Sequence, residues 1–201
     1  VALSGVDAID QKAIDDQLLE LDGTEQKSHL GGNAMIAVSQ ATAHAGAAVE
    51  GLPLYQHLHR VIVKQTVDLG LSSELFPEPR NPLPQTNMIS GGLHAGGNLD
   101  FQDVLITPVG AADYATCLEG IVRVYKCLGR LLTSRGYEGF LVGDEGGYGP
   151  KLTNNRDAVA IVAQAIEEAG LIPGEQVAIT LDVAATHFYR DGMYHLRAAG
   201  G

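Results

Sequence analysis

Residues 140–150 read FLVGDEGGYGP. An apolar run, FLVG (140–143), stops at two adjacent acids, Asp144 and Glu145, set between glycines. Neighbouring carboxylates repel when both are ionised, and glycines strip away the side-chain cover that would shield them. As a turn, the cluster uses glycine for unusual backbone angles and aspartate for its tolerance of turns. As a site, it uses glycine to let a ligand approach the backbone closely. On either reading, the apolar run predicts a strand over 140–143 that delivers Glu145 to the strand's C-terminal end.

Downstream of this stretch, Ala158, Ile161, Val162, Ala165, Ile166 and Ala169 form one helical stripe and predict a helix over 155–169. VAITLD (177–182) predicts a strand buried on both faces and ending in Asp182. FYRDGMYHL (188–196) predicts a hairpin around Asp191-Gly192. Upstream, a long helix is expected from about Asp113 to Arg135, with Gly136 as its stop, and TNMIS (86–90) and FQDVLITPV (101–109) are expected strands. Strands and helices in alternation imply an α/β fold with a largely parallel sheet. Only about four barrel-type strands fit between residues 85 and 201, whereas a closed eightfold barrel takes ~250 residues. The sheet is therefore expected to be open, or half of something.

The first part of the chain has a different character. Helical spacing predicts helices over 6–22, from an Asn33 N-cap to Glu50, and from Pro53 through LYQHLHRVIV (54–63). His44, His57 and His59 read there as ordinary helix residues. Residues 71–85, LSSELFPEPRNPLPQ, hold four prolines and exclude a regular helix. Three parts are expected: helical residues 1–70, a Pro-rich linker over 71–85, and an α/β part over 86–201.

Hydrophobic residues make up 45% of 201, enough for a buried core. Thirteen Lys plus Arg against 24 acids give a formal charge of −11, which disfavours nucleic acid and anionic membrane as partners. A metal cation is the natural counter-ion for clustered acids. Cys117 and Cys127 lie ten residues, or about 15 Å, apart on one predicted helix, too far for a disulfide. No run approaches ~18 apolar residues, so no membrane span is expected. VALSGVDAIDQK at the start lacks the basic and apolar regions of a signal peptide, and a cytoplasmic location is the simplest expectation.

In parallel α/β folds the active end lies at the C-terminal ends of the strands. Glu145 and Asp182 both follow strands, so both are expected at one rim. SGGLHAGGNLD (90–100) joins two strands by too short a connection for a parallel crossover, which predicts an antiparallel pair. That pairing brings His94, Gln102 and Asp103 to the same rim. Each has a bland reading: a surface histidine, an outward aspartate on an edge strand, a turn-capping Asp182. Convergence from segments far apart in sequence favours a site. Other catalytic patterns fail. GGYGPK (146–151) lacks the ending of a phosphate-binding P-loop, and there is no GxGxxG after a strand, no Gly-x-Ser-x-Gly elbow and no CxxC pair.

At this point the sequence resembles enolase, the phosphopyruvate hydratase family. The resemblance rests on LDGTEQKSHLGGNAMIAVSQA (21–41), SGGLHAGGNLDFQD (90–103), VGDEGGYGP (142–150) and LDVAATHFY (181–189), in order and at family-like spacing. It implies part of an enolase-type (β/α) barrel, preceded by the helical part of an α+β N-terminal domain. It further implies reversible dehydration of 2-phosphoglycerate to phosphoenolpyruvate in glycolysis, with Mg2+, by a homodimer. Glu145 then matches the acid that helps hydroxide leave, Asp182 a magnesium ligand, His94 the loop that covers substrate, and Gln102 and Asp103 substrate-contact positions. The sequence departs from the family pattern at Asp103, where most enolases carry Glu, and at Thr186-His187, where Ser-Glu is usual. The stretch 62–82 is longer than in typical members. Counterparts of the N-terminal strands, two further metal carboxylates and the lysine base are not found, since Lys151 lies beyond the Pro150 turn and Lys126 sits mid-helix. The expectation is a partial enolase that is inactive as 201 residues alone. The alternative is a truncated, non-catalytic enolase-like binding or assembly module.

Overall fold

The computed structural model describes residues 3–198. The polypeptide divides into two compact units, Val1–Arg80 and Asn81–Gly201.

The first unit is helical. Helix α1 (Gln11–Asp22) starts later than its periodicity suggests, because the Asp10 side chain caps it by accepting from Ala13 N. Helix α2 (Gly32–Glu50) takes Gly31 as its N-cap, so Asn33 lies within the first turn rather than before it. The entry is set instead by Asp22, whose Oδ1 accepts from His29 N at 3.0 Å and Leu30 N at 2.7 Å. Helix α3 (Leu54–Asp68) runs five residues past the predicted end. Ile14, Leu18 and Met35 form a small core. His57 is more than an ordinary helix residue. It is buried, and its Nδ1 lies 2.7 Å from Glu50 Oε2.

The second unit carries the sheet. Strands β1 (Thr86–Ser90), β2 (Asp103–Thr107) and β3 (Ala178–Asp182) lie in that order, and both neighbouring pairs are antiparallel. The expectation of a largely parallel sheet is corrected at this point. The loop between β1 and β2 is tight, so β2 is inverted, and because it lies centrally it makes both ladders antiparallel. β1 and β3 themselves run in one direction. Residue Tyr148 joins the free side of β1 in a parallel bridge, with Tyr148 N bonded to Met88 O and Ser90 N to Tyr148 O, both at 2.9 Å.

Helices α4 (Tyr114–Ser134) and α5 (Asn155–Glu168) pack on this sheet. Asp113 and Asn154 cap them, accepting from Thr116 N and Asp157 N. Val124, Leu128, Leu132, Ile161, Val162 and Ile166 meet Met88, Ile89, Val104 and Ile106 in one core. Cys117 and Cys127 are buried and free. Strands β4 (Tyr189–Arg190) and β5 (Met193–Tyr194) close the predicted hairpin. Its turn has φ of 52° at Asp191 and 77° at Gly192, the two positive angles of a type I′ turn.

Two strand expectations fail. FLVG (140–143) is not a strand: Phe140, Leu141 and Val142 are exposed, and Val142 makes only an isolated bridge to Tyr148. The core position that this run was expected to fill is taken by the buried ring of Tyr148. Strand β3 is not buried on both faces either; its last residues, Leu181 and Asp182, are exposed.

Candidate active site at the strand rim

The rim is set by register. Ser90 at the end of β1 pairs with Asp103 at the start of β2, and Asp103 pairs with Asp182 at the end of β3. The Gly-acid turn reaches the same row from the other side of β1. Side chains at Gly143 and Gly147 would collide with it: a Cβ at Gly143 would lie 2.8 Å from Ser90 Cβ, and one at Gly147 would lie 2.6 Å from Asn87 Oδ1. Glycine at these two positions therefore lets the turn lie against β1 and carry Glu145 to its end. The turn is held from outside the rim as well. Tyr125 Oη donates to Gly146 O at 2.8 Å, and its ring stacks on Tyr148 at 4.4 Å.

His94 comes from a short 3-10 turn, Gly92–Ala95, in the loop between β1 and β2. Its Nδ1 lies 3.6 Å from Asp103 Oδ2 and 3.8 Å from Glu145 Oε1, and has no hydrogen-bond partner. One ligand atom from each of His94, Asp103 and Glu145 falls within 4.8 Å of the others. Asp103 is 2% exposed, whereas Glu145 is open to solvent. Burying a carboxylate is costly unless donors compensate. The compensation comes from Asn87, whose Nδ2 donates to Asp103 Oδ1 and, at 3.0 Å, to Ser90 Oγ.

Gln102 and Asp182 form a second group on the rim. Gln102 Nε2 donates to Asp182 Oδ2 and Gln102 N to Asp182 O, both at 3.1 Å. Asp182 Oδ1 accepts from Ala184 N at 3.1 Å, which holds Ala184 in the left-handed region at φ 47°. A left-handed alanine is strained, and such strain concentrates at functional segments. Asp182 is exposed and each oxygen accepts one of these bonds, so lone pairs on both stay open to a hard cation. Mixed nitrogen and oxygen donors at His94, Asp103 and Glu145 suit a borderline divalent ion as well as an organic substrate.

Asn87 is the residue of this rim that sequence reasoning missed. Its partner lies sixteen residues away, and nothing in TNMIS singles it out. His187, in the departure Thr186-His187, lines a cavity of about 130 Å³ together with Gln102, Gly92 and Phe188, so it sits closer to the rim than its sequence position suggests.

Comparison with known families gives two matches. Residues 80–201 match the family model described as enolase, C-terminal TIM barrel domain, and residues 1–58 match that of the enolase N-terminal domain. The chain belongs to the enolase family. Among the described residues, the three-stranded sheet of this enolase-family chain is a partial barrel wall rather than a closed barrel. No described helix is long and apolar enough to cross a membrane.

Proposed function

We propose that this rim serves the reversible dehydration of 2-phosphoglycerate to phosphoenolpyruvate, the glycolytic reaction, in a cytoplasmic homodimer. The observation that carries the reading is the meeting of His94, Asp103 and Glu145 within 4.8 Å, in the row that ends in Asp182. Enolase-family membership and the absence of any other catalytic pattern support it.

In this dehydration the proton leaves C2, its electron pair forms the C2–C3 double bond, and the C3–O bond breaks. Glu145 stands at the open side of the rim and supplies the proton that turns the departing hydroxide into water. Asp103 is held beside that position by the Asn87 amide, and its Oδ2 faces His94. His94 covers the reacting carbons from its loop, and Gln102 orients both the substrate and Asp182. Asp182 would hold Mg2+, which when bound supplies positive charge against the developing enolate. The family's lysine base has no counterpart in Lys126 or Lys151, which line α4 and follow Pro150.

The decisive experiment compares the complete enzyme with its Glu145→Gln variant on 2-phosphoglycerate and magnesium. Loss of kcat by roughly 10²–10⁴ is expected for removal of a positioned general acid. An unchanged kcat refutes the acid role.

A further inference from the structure

The loop that carries His94 is rich in glycine and anchored in the core by Leu99. Gly92, Gly96 and Gly97 all have positive φ, and its internal bonds are backbone bonds such as Gly97 N to Gly92 O, with one side-chain bond from Asn98 Nδ2 to Ala95 O at 3.2 Å. At its far end, however, three stretches remote in sequence meet on one carboxylate. Asp100 Oδ1 accepts from Arg197 N at 2.9 Å. Asp100 Oδ2 accepts from Ala198 N at 2.7 Å and from Asn155 Nδ2 at 3.0 Å. Asn155 returns the contact: its Oδ1 accepts from Asp100 N at 2.9 Å and Phe101 N at 3.3 Å, and its own N–H donates to Ala198 O at 3.0 Å.

The chemistry of this clasp is directional. Every group that reaches the Asp100 side chain is a donor, so position 100 requires an acceptor-only carboxylate. Asn155 must both donate and accept, which an amide does and a carboxylate does not. Asn155 is also 8% exposed and is the first residue of α5, whose stripe is locked into the core. The clasp thus moors a glycine-rich loop to a rigid helix only three residues before Asp103.

We infer that Asp100 and Asn155 are positioning residues of the candidate site, fixing the base of the 91–102 loop so that His94 is held over Asp103 and Glu145. The inference rests on the reading of His94 as part of that site, and its test does not depend on turnover. Burial works to raise the Asp100 carboxyl, but hydrogen bonds from Arg197 N, Ala198 N and Asn155, with the charge of Arg197, outweigh it and hold the group below the usual aspartate range.

The test measures acylation of histidines by diethyl pyrocarbonate, read site by site by mass spectrometry on the full chain. The buried thiols of Cys117 and Cys127 report global opening of the same unit, and the exposed His29 and His44, in the other unit, give the reference rate. In Asp100→Asn, which keeps the shape but loses acceptors, His94 should react at least about fivefold faster while both thiols stay protected. Asn155→Ser should do the same, and the double variant should add little, because either change opens one clasp. Unchanged His94 reactivity with protected thiols overturns the inference. So does a parallel rise of His94 and thiol reactivity in both variants, because the pair would then be holding the fold rather than the loop. An unchanged kcat in Glu145→Gln would refute the proposed acid role and leave this placement standing.

Discussion

Gly147 shows how tightly single residues set this rim. A methyl group there would come within 2.8 Å of both Asn87 Cγ and Ser90 Oγ, and Asn87 is itself buried. Gly147→Ala is expected to lower stability by about 1–3 kcal/mol, as overpacking does, and to displace Asn87 from Asp103. The denaturant midpoint checks this. Asp100 gives a second expectation at the same scale. Its folded-state pKa is depressed, so its contribution is present above the unfolded value and is lost as pH falls through the folded one. Below about pH 4, a normal aspartate pKa, the wild-type chain should lose stability with falling pH more steeply than Asp100→Asn. Acid titration followed by circular dichroism measures the difference. Glu145 and His94 were singled out in the sequence by their glycines and Asp182 by a strand end, although the strand expected before Glu145 does not form. Asn87 and Asp100 were not, because what makes them matter is a partner 16 residues away for one and 55 to 98 residues away for the other.

The helices of the second unit followed their periodicity closely, since burial of one stripe leaves a strong 3.6-residue signal. Leu128 is fully buried and Leu118 on the same helix is half exposed. Leu128→Ala should cost about 2–5 kcal/mol and Leu118→Ala less than about 0.5, measured by urea unfolding. Strands were less legible. FLVG carries strand-forming residues yet lies exposed, and the four-residue run cannot report which segment wins the place beside β1. Sheet polarity was hidden for a related reason. The alternation of strand and helix correctly implies that β1, the Tyr148 segment and β3 share one direction, but it does not show that inverted β2 separates β1 from β3. The tight β1–β2 loop holds that information, because so short a connection inverts β2.

At the scale of the whole molecule, the formal charge of −11 sets the response to cations. Magnesium that binds the folded chain at Asp182 stabilises it in proportion to occupancy, by about 2.7 kcal/mol at one hundred times Kd. Magnesium chloride should therefore raise Tm above the value in sodium chloride of equal ionic strength, and Asp182→Ala should erase that difference. Differential scanning fluorimetry decides it; equal melting in the two salts counts against Asp182 as a ligand. The two units differ in how much core they bring. The second wraps a continuous apolar interior around its sheet, whereas among the described residues the helices of the first enclose a small cluster and a buried His57 paired with the half-buried Glu50.

The stack of Tyr125 on Tyr148 has a practical consequence. The chain has no tryptophan, so its near-ultraviolet optical signal comes largely from seven tyrosines. Of these, Tyr148 is pushed up to about 12, first by burial and then by Tyr125, so it keeps its phenol proton long after exposed tyrosines have become phenolates. Alkaline difference spectroscopy thereby isolates one chromophore three residues from Glu145, and its late ionisation is a label-free gauge of whether the acidic turn is seated.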